Sequence, residues 1–173
     1  MRGTSIERSE AEWCFSDLLY LNLHEDFTMY LNDWKDSGFI GLVADFSDIY
    51  ITKAEFEATE CPIPNVSYWI EKKEAMKNEL EKDQWKGIDV LLASYGYENY
   101  SGDAFVLFKK DGKLYEVNAG HCSCFGLEGR WEPEETTVES LLHRLSAGSL
   151  GNDDYAGNKF ATELREVLGE IEI

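Results

Sequence analysis

The chain has 173 residues, of which 43% are hydrophobic, so it is long enough to bury one substantial core. Its 16 basic and 34 acidic residues give a formal net charge of −18, a field that repels nucleic acid and anionic membranes. No window holds the roughly 18 to 20 uninterrupted apolar residues of a membrane span. The N-terminus also lacks the apolar stretch of a secretory signal, so we expect a cytoplasmic protein with free thiols.

The acidic excess is concentrated towards the ends of the chain, and residues 1 to 60 carry 13 acidic and 4 basic groups. Such a surface attracts basic surfaces of other macromolecules. The alternative is that the charge only maintains solubility, and the sequence leaves both interpretations open.

Two helices are predicted at the start of the chain. Ser9 and Glu12 have the spacing of a capping box, and the apolar series that follows predicts a helix over 9–23. A second apolar stripe begins at Phe27 and continues through Trp34, and Gly38 is suited to ending that helix.

The next stretch, 39–51, is rich in β-branched and aromatic residues and predicts one or two strands, with a short buried helix at 39–46 as the alternative. Thr52 and Glu55 repeat the capping-box spacing and predict a short helix at 53–60. The sequence CPIPN at 61–65 then favours an extended connection. We therefore expect an acidic N-terminal segment, 1–60, and an α+β domain, 66–173.

In the second part, 67–86 predicts a long helix closed by Gly87. The apolar period then changes to two, which predicts strands at 88–97, 104–110 and 113–119. Asp111-Gly112 is typical of a tight hairpin turn, and both faces of the first two strands are apolar.

Two further helices complete the prediction. One occupies 137–147 and ends at Gly148, and the last carries a stripe beginning at Phe160 and is closed by Gly169. The expected fold is α+β, a three-stranded antiparallel meander packed between helices, with an acidic, mainly helical N-terminal segment.

The stretch NAGHCSCFGLEGRWEPEE, 118–135, gathers the most reactive side chains. A zinc site would need a second pair of ligands beside His121, Cys122 and Cys124, and the neighbourhood lacks one. A thiol nucleophile would need His121 or His143 as its base. The favoured interpretation is structural: the third strand ends at Gly120, and the two cysteines act as small apolar side chains. We therefore expect no metal and no cofactor.

Residues from about Ile88 to Gly169, above all YSGDAFVLF, DGKLYEV, HCSCFGLEGRWEPEET and LLHRL, resemble an uncharacterised family of small accessory proteins from tailed phages and prophages. The resemblance covers the C-terminal half only. It implies a phage accessory origin, and small acidic phage proteins of this kind often resemble inhibitors of host defence.

Charge and resemblance together predict a phage-encoded acidic inhibitor of a host defence complex, of the anti-CRISPR or anti-restriction type. It would work in the host cytoplasm and occlude a basic nucleic-acid groove of a host effector or nuclease, without binding nucleic acid or membrane itself. The predicted partner-binding residues are Glu25, Asp26, Asp33, Asp36, Asp45, Asp48, Glu55, Glu57 and Glu60.

Two alternatives remain open at this point. One is a small thiol- or metal-dependent enzyme that acts on a nucleotide signal through the loop from His121 to Cys124. The other is a phage structural or regulatory module with no role in defence.

Overall fold

The computed structural model describes residues 28–171. In this part of the chain, five helices pack against a mixed sheet of five strands in the order β1-β2-β3-β4-β5, which confirms the α+β class. The strands are β1 (Met29–Asn32), β2 (Asp89–Glu98), β3 (Ser101–Lys110), β4 (Lys113–Cys122) and β5 (Glu134–Glu135). The helices are α1 (Gly38–Ser47), α2 (Lys53–Glu57), α3 (Val66–Leu80), α4 (Val138–Ser146) and α5 (Ala161–Glu170).

The predicted meander forms the centre of this sheet, because β2, β3 and β4 pair antiparallel in sequence order. Asp111 and Gly112 both have positive φ, 51° and 75°, as a tight hairpin turn requires. Between β2 and β3 the turn is equally short, since only Asn99 and Tyr100 separate the strands. The meander is extended on both sides, by β1 parallel to β2 and by β5 antiparallel to β4.

The predicted helix from Phe27 to Gly38 is wrong for the residues described. Met29–Asn32 form β1, and Gly38 is the first residue of α1 instead of the end of a helix. Successive β1 side chains alternate between the two hydrophobic clusters, with Tyr30 against one and Leu31 against the other. The pairing with β2 therefore decided the conformation of this short segment.

Of the two interpretations of 39–51, the helix is confirmed and the strands are wrong. Leu42, Val43 and Phe46 are buried on the sheet side of α1, so helical spacing places three large side chains in one cluster. After α1, the capping box of Thr52 and Glu55 is present at the start of α2, as predicted.

Both faces of the sheet are covered, as the sequence indicates. On one face, Val90, Val106 and Val117 of the central strands pack against α1, Trp34 and Trp85. On the other face, Leu92 and Leu107 pack against side chains of α4 and α5. The sheet thus separates two apolar clusters within one α+β arrangement.

Helix ends depart from the predictions in α2, α3 and α5. The predicted helix 53–60 ends at Glu57, because Ala58 already has an extended backbone. α3 ends at Leu80, not at Gly87, because Trp85 turns into the core and its indole donates to the buried carboxylate of Glu79 at 2.9 Å. In α5, Gly169 lies inside the helix and does not close it. The α4 prediction is close, with Thr137 as its N-cap.

The predicted helix at 9–23, together with Glu25 and Asp26, lies outside the described residues. The division into segments 1–60 and 66–173 stays a prediction. Among residues 28–171, no helix combines the length and the apolarity that crossing a membrane requires.

Candidate functional site: an acidic groove with an aromatic lining

A groove of about 930 Å³ lies at the sheet edge where β1, β2 and β4 all have their C-terminal ends. Helix α1, the start of α2 and the loop after β4 form its other walls. The C-terminal ends meet here because β1 is parallel to β2, while β2 and β4 are both antiparallel to β3. Residues far apart in sequence therefore share one concave surface.

A row of residues on three neighbouring strands lies at the groove, and Tyr97 and His121 of this row line it. Tyr97, Gly102 and His121 are cross-strand neighbours, with the glycine in the middle. A Cβ on Gly102 would lie 2.0 Å from the Nε2 atom of His121, so the imidazole occupies the space of the missing side chain. The glycine lets Tyr97 and His121 stack across β3, with ring centroids 5.4 Å apart and planes at 22°.

Both nitrogens of His121 have partners. Nδ1 lies 3.0 Å from the carbonyl oxygen of Cys122, which can only accept, so Nδ1 donates. In the neutral ring, Nε2 then accepts from the Tyr95 hydroxyl at 2.6 Å. These two bonds fix the plane of the imidazole, and the stacked Tyr97 ring is held with it.

Asp33 and Asp45 place carboxylates beside this aromatic row. Asp33 follows β1 and accepts a hydrogen bond from the backbone N–H of Tyr97, whereas Asp45 is on α1 and its Oδ2 accepts from the Trp34 indole at 2.7 Å. Desolvation raises the pKa of both carboxyls above the usual value, and the charge of Asp33 adds to the rise in the pKa of Asp45. Neither hydrogen bond compensates the negative charge with a positive one.

Burial, followed by the negative charges of Asp45 and Asp33, raises the pKa of the Tyr95 hydroxyl. Tyr95 therefore keeps its proton and remains a hydrogen-bond donor to His121.

Three further carboxylates line the groove. Asp48 lies next to Tyr50 and raises the pKa of that hydroxyl, mainly through a hydrogen bond. Glu55 accepts from the backbone and hydroxyl of Thr52 in the capping box, and Glu128 accepts from the backbone N–H of Gly126 at 3.2 Å. Each of these three carboxylates therefore accepts its hydrogen bond from an uncharged donor.

No lysine or arginine of residues 28–171 lines the groove. The seven ion pairs found in this part of the chain all involve other carboxylates. Among the described residues, the groove lining therefore combines five carboxylates with one basic side chain, that of His121.

Large aromatic side chains are exposed on the same surface. Four of them line the groove, with exposed fractions of 74% for Tyr50, 40% for Tyr68, 48% for Tyr97 and 65% for Phe125. Exposed aromatic rings beside unpaired charges are characteristic of binding surfaces, because burying the apolar surface of a ring against a partner is favourable.

The predicted partner-binding residues divide into three groups. Asp33, Asp45, Asp48 and Glu55 line the groove. Asp36, Glu57 and Glu60 lie outside its lining, and Glu57 pairs with Lys53 at 3.9 Å. All three are exposed, as Asp33, Asp45 and Asp48 also are. Glu25 and Asp26 lie outside the described residues.

The structural prediction for the cysteine turn is wrong in its details. β4 continues to Cys122 instead of ending at Gly120, and both Cys122 and Cys124 are exposed free thiols instead of buried apolar side chains. The residues of β4 after Gly120 pair with β3 as far as Ser101, so the turn that follows β4 begins later in the chain than predicted. Within residues 28–171, no three His, Cys, Asp or Glu side chains are grouped as metal ligands would be.

Two residues at the groove, Gly102 and Glu128, are absent from the sequence-based prediction, and only Gly102 carries a signal that could have indicated its role. Gly102 lies inside β3, and a glycine within a strand often marks the close approach of another group, here the imidazole of His121. Glu128 sits among the loop carboxylates, and no sequence signal separates it from the others.

Comparisons of the chain with protein-family models, with curated proteins and with solved structures find no match.

Proposed function

We propose that this protein is a binding protein whose acidic groove takes up a basic segment of a partner protein. The observation that carries the proposal is the set of five groove carboxylates without a lysine or arginine of the described residues among them. Carboxylates crowded together and partly desolvated are stabilised when an opposite charge arrives. A cationic partner would supply that charge.

The partner class follows from the charge of the whole chain and from the resemblance of its C-terminal half. A net charge of −18 favours association with proteins that themselves bind nucleic acid through lysine and arginine. For a phage accessory protein, such a partner is a host defence complex of the CRISPR or restriction type. Occupying the basic groove of that complex would be enough to block it, and the shape of a duplex need not be copied.

The test uses a labelled peptide of mixed lysine and arginine and measures its affinity by fluorescence anisotropy at increasing salt. We expect binding that weakens steeply with ionic strength, because exposed charges are screened. Replacing two of the five groove carboxylates, Asp33→Asn with Asp45→Asn, should weaken binding on the order of tenfold.

The matched control is Asp36→Asn with Glu60→Gln. It removes the same net charge from the same part of the chain, but neither residue lines the groove. Affinity should stay within about a factor of two, because isolated exposed charges contribute little. Equal losses in the two double variants would mean that net charge alone attracts the peptide, and the groove proposal would be wrong.

A second candidate is the small enzyme that acts through His121 and the cysteine turn, and one observation favours it. Cys124 and Ser123 line the same groove as the bonded pair of Tyr95 and His121. Against it, both nitrogens of His121 are already engaged, by Tyr95 and by the Cys122 carbonyl, so neither is free to take a proton from a thiol. The binding function therefore fits the geometry better.

Thiol chemistry separates the two candidates. An alkylating reagent should modify Cys122 and Cys124 in the folded protein no faster than in the urea-unfolded chain, since an inert thiol gains nothing from folding. Faster modification that is lost in His121→Ala would support the enzyme instead.

A further inference from the structure

The groove's lining indicates which basic residue it selects, an inference that rests on the proposed function. We propose that the groove prefers arginine to lysine, with one guanidinium of the partner stacked on the Tyr97 ring and hydrogen-bonded to Asp33 and Asp45.

The Tyr97 ring is a prepared surface for stacking. One side contacts His121, whose orientation two hydrogen bonds fix, while 48% of the Tyr97 side chain remains open to solvent. A ring already held in place loses little conformational freedom when a flat group lies on it. A guanidinium is such a flat group, and it stacks on aromatic faces better than an ammonium does.

The two carboxylates beside the ring have acceptor capacity left. The Oδ2 atom of Asp45 accepts from Trp34, while its Oδ1 has no hydrogen bond within residues 28–171. The carboxylate of Asp33 accepts from one backbone N–H, that of Tyr97, to which the ring belongs. A guanidinium carries five donors in a planar fork and can serve two carboxylates while it stacks.

Lysine fits this surface less well. Its ammonium is a compact, strongly hydrated charge, so entering a partly desolvated groove costs it more water than it costs a guanidinium. It also has no flat face to place on Tyr97. Lysine side chains would remain at the exposed rim, where charge pairs contribute little.

The molecule contains an internal example of the same chemistry. Glu116 is only 5% exposed, and the guanidinium of Arg144 is its charged partner. Among the described residues, Arg144 forms an ion pair with Glu116, the buried carboxylate on the α4 side of the sheet. No arginine of these residues lies in the groove lining to pair with its carboxylates.

The experiment compares three peptides of identical sequence in which the basic positions are all arginine, all lysine or all citrulline. Citrulline keeps the planar shape of arginine without its charge. Affinities are measured for the wild-type chain, for Tyr97→Leu and for Tyr155→Leu, an exposed tyrosine that does not line the groove.

We expect the arginine peptide to bind about tenfold more tightly than the lysine peptide, and the citrulline peptide not to bind. Tyr97→Leu should abolish the preference for arginine but leave weak, salt-sensitive binding of both basic peptides. Tyr155→Leu should leave the preference unchanged.

The outcomes separate the inference from the function on which it rests. Equal affinity of the wild-type chain for arginine and lysine peptides would overturn the inference and leave the proposed function standing. If neither basic peptide binds the wild-type chain more tightly than the Asp33→Asn, Asp45→Asn variant, both the arginine preference and the proposed function are wrong. The wild-type comparison needs no variant, so it remains decisive even if Tyr97→Leu does not fold.

Discussion

Carboxylates in two regions of this protein are treated in opposite ways. On the α4 side of the sheet, the buried carboxylate of Glu116 accepts from Arg144 and, at 2.7 Å, from the side-chain amide of Asn118. In the groove, Asp33 and Asp45 each accept a hydrogen bond from one neutral donor, and no lysine or arginine of the described residues lines the groove beside them.

The difference separates a carboxylate that stabilises the fold, Glu116, from groove carboxylates that remain available to a binding partner. A carboxylate that stabilises the fold needs its charge compensated, because desolvation without a partner is costly. Asp33 and Asp45 are exposed, so they bear only part of that cost, and no lysine or arginine of the described residues compensates their charge. Groups that are kept despite such a cost are common at functional sites.

The largest effect on stability is expected at Glu116, whose negative charge is compensated by Arg144 of the same chain. Arg144→Met should lower the free energy of unfolding by about 2 to 4 kcal/mol, because Glu116 would stay buried without its cation. Urea unfolding followed by tryptophan fluorescence measures this change. Basic-peptide affinity of the folded fraction should not change, since Arg144 does not line the groove.

Arg130→Met is the control, because Arg130 is exposed and forms no ion pair among the described residues. Its effect should stay within about 0.5 kcal/mol. A second check combines Arg144→Met with Glu116→Leu, which should recover part of the loss because no charge is left buried alone. No recovery would mean that Arg144 acts through packing.

An intermediate effect is expected on the groove side, at Gly102. Gly102→Ala places a methyl group where the imidazole of His121 lies, so the ring must move and its bond to Tyr95 must break. We expect a loss of about 1 to 3 kcal/mol in unfolding free energy. Basic-peptide affinity should fall as well, because the Tyr97 ring loses its support.

Gly120→Ala is the matched control for this change. Gly120 lies on the neighbouring strand β4, and a Cβ there would contact only the carbonyl oxygen of Gly102, at an ordinary 3.5 Å. Stability and affinity should both stay close to the wild-type values. If the two variants behave alike, the stacked arrangement of Tyr97 and His121 is not a built feature of the groove.

The smallest effect has the opposite sign. The double variant Asp33→Asn, Asp45→Asn should gain a few tenths of a kcal/mol of stability at neutral pH, because two uncompensated charges disappear and solvent screens most of their cost. The same variant should bind the basic peptide more weakly. A gain in stability together with a loss of binding would support a binding role for the groove carboxylates, in contrast to the stabilising role of Glu116.

The pH dependence of this gain follows from the raised pKa values of both carboxyls. A carboxyl whose pKa is higher in the folded chain destabilises the fold once it is ionised in both states, and costs nothing once it is protonated in both. The advantage of the double variant should therefore be complete at neutral pH and vanish as pH falls through the carboxyl range. An advantage that persists at low pH would show that charge is not its cause.

Local signals determined much of the fold. The central strands, the turn at Asp111 and Gly112, and the capping box at Thr52 could be predicted because alternation, turn chemistry and capping depend on residues close in sequence. The acidic character of the candidate site also followed from composition, and four of the predicted carboxylates do line the groove.

Tertiary structure alone decided the rest. Met29–Asn32 became a strand because β2, about sixty residues later, offered a parallel partner, and no periodicity within four residues can reveal that. Gly102 took its role from His121 on another strand. Asp45 lines the groove from α1, whereas Asp36 lies in the turn before that helix and outside the lining. Sequence determines what each short segment can form and how much charge the chain carries, whereas long-range packing determines which of those charges meet, because contacts between distant residues leave no local pattern.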